Sequence, residues 1–168
     1  MEFKIGDKVV YPNHGIGIIE KIQTKQVAGS EETYCTLRIL ANDSTVMVPL
    51  SNMGTIGIRP VLASRRVETV LTLLRDGQVD LQGDWKGRFL ENSEKMRSGH
   101  VEKVAEVLKS LSYLSSVKTL SYRERKMLDR ARFLVVSELA EASQQPIDKI
   151  ESQVDQTLSV SLKSKMDH

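Results

Sequence analysis

The chain has 168 residues, 40% of them hydrophobic, and 24 Lys/Arg against 22 Asp/Glu give a net charge of +2. That length holds one domain or two small ones with a real core, and no apolar run approaches membrane-spanning length. A single cysteine, Cys35, excludes an internal disulfide and fits a reducing compartment, and the opening MEFKIGDKVVYP lacks the charged-then-greasy order of a signal peptide, so the expectation is a cytoplasmic, soluble protein.

The first sixty residues read as short strands separated by turns. Lys8–Tyr11 is β-rich and stops at Pro12-Asn13-His14-Gly15. A longer run over 16–27 puts Ile16, Ile18, Glu20 and Ile22 on one face and ends in Ala28-Gly29-Ser30. Residues 33–40 alternate, with Cys35, Leu37 and Ile39 on one side and Tyr34, Thr36 and Arg38 on the other. After the turn cluster Ala41-Asn42-Asp43-Ser44, a further strand over 45–50 ends near Pro49. Four or five short strands are too few for a sandwich, and the expected solution is a small SH3- or Tudor-like β barrel, which leaves few free edges.

From residue 61 the hydrophobic period changes from two to 3.6. Ser64 is placed to cap a helix with Val67, Val70, Leu71 and Leu74 on its apolar face, stopping at Gly77. Residues 77–83 read as a loop, and Asp84 as the cap of a short helix that starts at Trp85 and carries Phe89, Asn92 and Met96 in a stripe. Val101, Val104, Ala105, Leu108 and Leu111 form the face of the next helix, to about Leu114. Ser121-Tyr122-Arg123-Glu124 has the form of a capping box, followed by Leu128, Ala131, Leu134, Val135, Leu139 and Ala142. Pro146 suits a first helical turn, with Ile147, Ile150, Val154 and Leu158 recurring behind it. The predicted fold is α+β: a β barrel over 1–60, then a bundle of about five helices over 61–168.

Charge is segregated along this frame. Residues 1–60 sum to zero, 61–84 to −1, and 133–168 to −3, whereas 85–132 carries twelve Lys/Arg against six Asp/Glu, or +6. Arg123, Lys126 and Arg130 follow i, i+3, i+7 on one helix, Arg125 and Arg132 line an adjacent row, and Lys86 and Arg88 flank a Trp85–Phe89 ridge. Several cations on one face is what phosphate binding needs. A large aromatic at the mouth of such a segment suits insertion beside a base step, although the commonest fate of a lone Trp is a core anchor. Nothing resembles a recognition helix, zinc finger or zipper, so DNA binding here would be largely independent of sequence.

Catalytic chemistry finds little support. His14, His100 and His168 are far apart, and none has a metal-ligand neighbour at helical spacing. Cys35 alternates inward and reads as a structural thiol. Gly15-Ile16-Gly17 leads into a strand and lacks the remaining elements of a phosphate loop. The expectation is a non-enzyme without cofactor or metal.

The run Phe3-Lys4-Ile5-Gly6-Asp7-Lys8-Val9-Val10-Tyr11-Pro12 with His14-Gly15-Ile16-Gly17 resembles the start of the bacterial CarD/CdnL transcription regulators. So do Val46-Met47-Val48-Pro49, Gly54-Thr55-Ile56-Gly57-Ile58-Arg59, Trp85-Lys86-Gly87-Arg88-Phe89, Val104-Ala105-Glu106-Val107-Leu108 and Glu124-Arg125-Lys126-Met127-Leu128. The first part alone is also similar to the polymerase-binding module of transcription-repair coupling factors. The resemblance implies a Tudor-like domain docking on the β subunit of RNA polymerase through Lys25, Met47 and Pro49, with Leu37 a further candidate. It also implies a helical domain touching promoter DNA at the upstream bubble edge through Trp85, Lys86, Arg88, Arg125 and Lys126, with Trp85 wedged in the minor groove. Gly87 and Leu90 depart from the family pattern, where basic or polar residues are frequent. The expected function is non-catalytic regulation by a monomer that stabilises the open complex. Competing readings are a protein-interaction adaptor without DNA contact and a stand-alone non-specific DNA-binding protein.

Overall fold

The computed structural model describes residues 3–76 and 85–166, and the side chains of residues 85, 86 and 163–166 lie outside the described set. The chain divides into two compact units, Met1–Val61 and Leu62–His168.

The first unit is an antiparallel sheet of five strands, β1 (Lys8–Tyr11), β2 (Gly15–Val27), β3 (Ser30–Ile39), β4 (Thr45–Pro49) and β5 (Arg59–Pro60), in the order β4-β3-β2-β1-β5. The barrel expected from the strand count is not closed: no register joins β4 to β5 among the described residues, and the sheet has two edges. The cause lies in the connection. After Pro49 the chain makes a 3-10 turn (Leu50–Asn52) and one helical turn, α1 (Met53–Ile56), and only two residues then return to the sheet. One of those two is Pro60, which has no N–H to extend a ladder.

Alternation on β3 buries Cys35, Leu37 and Ile39 at 0–3% exposure, whereas β2 departs from the expected single face. Ile19 pairs with Leu37, but Lys21 pairs with Thr36, so Glu20 is the extra residue of a β-bulge. The inserted residue inverts the parity of the strand, so Ile19 is fully buried and Ile22 packs on the same core three positions later. Glu20 is exposed instead and forms an ion pair with Arg38, which also reaches Asp43 at 3.2 Å. Val9, Val48, Met53 and Ile58 complete this core. Gly57 closes α1 in the left-handed region (φ 90°), where a side chain is strained, and a Cβ there would stand in tight contact, 3.3 Å from Pro12 Cγ.

The second unit is helical: α2 (Val67–Asp76), α3 (Trp85–Ser98), α4 (Val101–Val117), α5 (Tyr122–Ser143) and α6 (Ile147–Met166). Ser64 does not cap α2. It opens a 3-10 turn, Ser64–Arg66, that runs into the helix. The expected cap Asp84 and the loop over 77–83 lie outside the described residues. α4 runs three residues beyond Leu114. The capping box of α5 is complete, with Glu124 N–H donating to Ser121 Oγ at 3.2 Å and Ser121 N–H to Glu124 Oε1 at 3.4 Å. Val70, Leu74, Val104, Leu108, Leu111, Val135, Leu139 and Val154 sit in one core, as the helical periods require. Ile147 does not join them and is 55% exposed. No helix among the described residues is long and apolar enough to cross a membrane.

Candidate polymerase and nucleic-acid interfaces

β4 is an edge strand, paired only with β3 through Arg38↔Thr45, Leu37↔Val46, Thr36↔Met47, Cys35↔Val48 and Tyr34↔Pro49. Side chains alternate across it, so Val48 is buried while Met47 is 49% exposed on the outer face. Lys25, exposed on β2, brings its ammonium to 3.9 Å from the Met47 sulfur, across the intervening strand. Pro49 ends the strand, half-buried. Lys25 and Met47 therefore share one patch, a polarisable thioether beside a cation at an unpaired strand edge, the form an extended partner segment can extend. Leu37 does not belong to it. It points into the core at 0% exposure, as its alternation with Cys35 and Ile39 demands.

In the helical unit the cationic surface is assembled by α3 and α5. Trp85 and Lys86 open α3, but their side chains lie outside the described residues. Arg88 and Phe89 follow in the same turn, both half-buried, and Leu90 is 64% exposed. The guanidinium of Arg123 sits 5.9 Å from the centre of the Phe89 ring, so the beginning of α5 adjoins the first turns of α3. Within α5, the Lys126 ammonium lies 4.8 Å over the ring of Tyr122, one helical turn earlier, and Tyr122 is 72% exposed. Arg123, Arg125, Lys126 and Arg130 are all exposed. The result is a ledge of alternating cations and rings.

Not all the basic residues of 85–132 belong to that ledge. Arg132 turns to α6 and holds Asp155 at 3.1 and 2.7 Å and Glu151 at 3.3 Å. The hydrogen bond to Asp155 is the main reason its affinity for a proton is raised above the ordinary arginine value. Lys95 is paired with Glu106 at 3.1 Å and Glu91 at 3.6 Å. Lys109 is buried, donating to the Leu73 carbonyl at 3.1 Å. The row expected to contain both Arg125 and Arg132 is therefore split. Sequence reasoning also passed over Tyr122, although Tyr122–Lys126 is the i, i+4 spacing at which a ring and a cation meet.

The residues weighed for chemistry have structural settings. Cys35 is fully buried, and burial raises its thiol above the usual range. His14 lies in the β1–β2 turn, its ring edge-on to Tyr11 at 4.9 Å. His100 occupies the N-cap position of α4 without a side-chain capping bond, and His168 lies outside the described residues.

Comparison with known proteins aligns with this division. The CarD-like/TRCF RID domain family matches residues 3–62, and the family described as CarD, C-terminal domain, matches residues 69–155. A relative from Bacillus subtilis (strain 168), "Putative transcription factor YdeB", is 36% identical over 137 residues, spanning 82% of this chain and 90% of that protein. The solution NMR structure of the 72-residue N-terminal domain of Myxococcus xanthus CarD is 39% identical, covering 35% of this chain and 79% of that one, with a TM-score of 0.31. CdnLNt from Myxococcus xanthus is also 39% identical, covering 37% of this chain and 87% of that one, with a TM-score of 0.32. With both family patterns present in order and a relative matched along most of its length, the chain belongs to the CarD-like family of bacterial transcription factors.

Proposed function

We propose that this protein is a non-catalytic regulator that binds the β subunit of RNA polymerase through its sheet unit and promoter DNA through its helical unit, holding the promoter open. The match of residues 3–62 to the RID domain supports the first contact. The exposed β4 edge, with Lys25 beside Met47 and Pro49 closing the strand, is the surface we assign to it.

The observation that carries the second contact is the approach of Arg123 to Phe89. It sets the cations of α5 beside the helical turn that begins with Trp85, so phosphate contact and an apolar wedge would be delivered from one place. Arg125 and Lys126 bind phosphates in this reading, Lys86 and Arg88 flank the wedge, and Trp85 enters the minor groove where the duplex starts to part. Wedging or stacking of this kind is worth about 1–3 kcal/mol per base, one to two decades in an equilibrium constant, which is enough to regulate initiation without chemistry. The pairing of Arg132 and Lys95 with acids of their own unit favours weak DNA affinity. Weak affinity suffices when polymerase holds the sheet unit nearby and raises the local concentration of the helical one.

The test is the lifetime of the open complex with purified polymerase, comparing wild type, Trp85→Ala and Met47→Arg. Wild type lengthens the lifetime and both variants lose that gain, Met47→Arg together with its affinity for the β subunit. Equal lifetimes for all three, matching polymerase alone, would remove the mechanism.

A further inference from the structure

The sheet unit ends and the helical unit begins at adjacent residues, Val61 and Leu62. Both flanks of that junction are anchored. On the sheet side Ile58 lies in the core at 6% exposure with its N–H donating to the Met53 carbonyl at 3.0 Å, and Arg59 and Pro60 pair with Val10 and Val9 of β1. On the helical side Leu62 is itself a core residue, and its backbone N–H donates to Glu138 Oε2 at 2.9 Å. Glu138 comes from the C-terminal part of α5 and is 4% exposed. The next 3-10 turn is tied down in its own unit, Arg66 N–H to the Ala63 carbonyl at 2.9 Å and the Arg66 side chain in an ion pair with Glu102. One residue, Val61, separates the last sheet-paired position from the first bundle-anchored one.

A carboxylate held in a helical core carries a large desolvation cost, and an aliphatic residue would pack there more cheaply. Here that carboxylate receives the first backbone N–H of the helical unit, 76 positions earlier in the chain. We propose that Glu138 is a positioning residue: with the β1–β5 pairing it shortens the joint to a single residue, which keeps the effective concentration of the helical unit at DNA high once the sheet unit is bound. This rests on the bridging reading above. In a two-site binder the second contact is governed by effective concentration, which falls roughly as the −3/2 power of linker length once a flexible linker exceeds the span. A flexible Gly/Ser linker spreads its ends over about 5–6 Å times the square root of its length, so added residues dilute the helical unit at the DNA while leaving both binding surfaces untouched.

The test uses the full chain with a Gly/Ser insertion of about eight residues between Val61 and Leu62, alongside Glu138→Leu, and reads open-complex lifetime and affinity for the isolated β subunit. The insertion keeps β-subunit affinity within about twofold of wild type and cuts the lifetime gain by about threefold or more. Glu138→Leu, assayed below its own melting temperature, gives a smaller loss in lifetime, again at unchanged β-subunit affinity. A wild-type lifetime gain that survives the insertion in full overturns the inference while leaving the bridge standing. Loss with the insertion but not with Glu138→Leu removes the role of Glu138. No gain from wild type itself removes the bridge, and this inference with it.

Discussion

Arg132 on α5 grips Asp155 on α6 through a fork, with Nε 3.1 Å from Oδ1 and Nη2 2.7 Å from Oδ2. The geometry is bidentate, but the two side chains are 36% and 53% exposed, so solvent screens most of the attraction. The contact withdraws one arginine from the basic face that its spacing suggested, and it spends part of the acidity of α6 inside the protein.

Asp155→Asn should lower stability by about 1 kcal/mol or less, the range for partly exposed pairs. It also removes one negative charge near α5, so duplex affinity should rise modestly, and more at low salt than at high salt. Thermal melts and a salt titration of duplex binding check both. A loss of several kcal/mol would mean a desolvated pair.

The DNA ledge separates two kinds of contribution. Arg125→Ala and Lys126→Ala should each reduce the slope of log affinity against log salt by about one, with little dependence on sequence. Trp85→Ala should leave that slope unchanged and shorten the open complex by about one to two decades. If Trp85→Ala instead flattens the salt dependence, the indole is not acting as a wedge.

Burial divides the sheet unit the same way. Leu37→Ala, at 0% exposure, should cost about 2–5 kcal/mol and unfold the sheet unit under mild denaturant. Met47→Ala, at 49% exposure, should stay within about 0.5 kcal/mol of wild type yet weaken binding to the polymerase β subunit. Chemical denaturation followed by a pull-down with the isolated β subunit resolves the two effects.

The α5 capping box makes a local prediction. Ser121→Ala removes the acceptor for Glu124 N–H and leaves Glu124, 2% exposed, with less to bond, so the helical unit should lose about 1 kcal/mol. Ser121→Thr should recover most of it, because its hydroxyl both accepts from Glu124 N–H and donates to Glu124 Oε1. A melt that moves for neither would show that packing alone sets the start of α5.

Cys35 gives a pH signature. Burial raises its proton affinity in the folded chain, so the thiol is neutral in both states at low pH and the folded state gains nothing there relative to neutral pH. As pH climbs past the unfolded thiol's ordinary value, ionisation favours the unfolded chain, and stability declines until the raised folded value is passed. Cys35→Ala should abolish that alkaline decline. Native protein should resist thiol reagents until it opens, which a labelling time course in denaturant measures.

Much of this architecture is legible from local pattern, and the exceptions share a cause. Cys35, Leu37 and Ile39 alternate, and Ser121 with Glu124 spells a cap, because each signal is complete within a few neighbouring residues. The bulge at Glu20 is invisible until β3 supplies the register, since the extra residue is defined by its partner strand. The open sheet follows from α1 consuming the chain that would have made a longer β5. Arg132 and Asp155 meet across 23 positions, too far for any periodicity to report. The basic ledge was legible as charge, but the seating of Arg123 on Phe89 needed the packing of α3 and α5.

The two borders of the sheet are unequal. β5 offers two residues and ends in proline, which has no donor for a further ladder. β4 is longer and carries Met47 outward. A sheet receptive at both borders can be threaded copy onto copy into an endless ribbon, whereas one receptive at a single border is capped by its first guest. The stunted fifth strand thus denies the sheet the second long border that endless copy-on-copy threading would need.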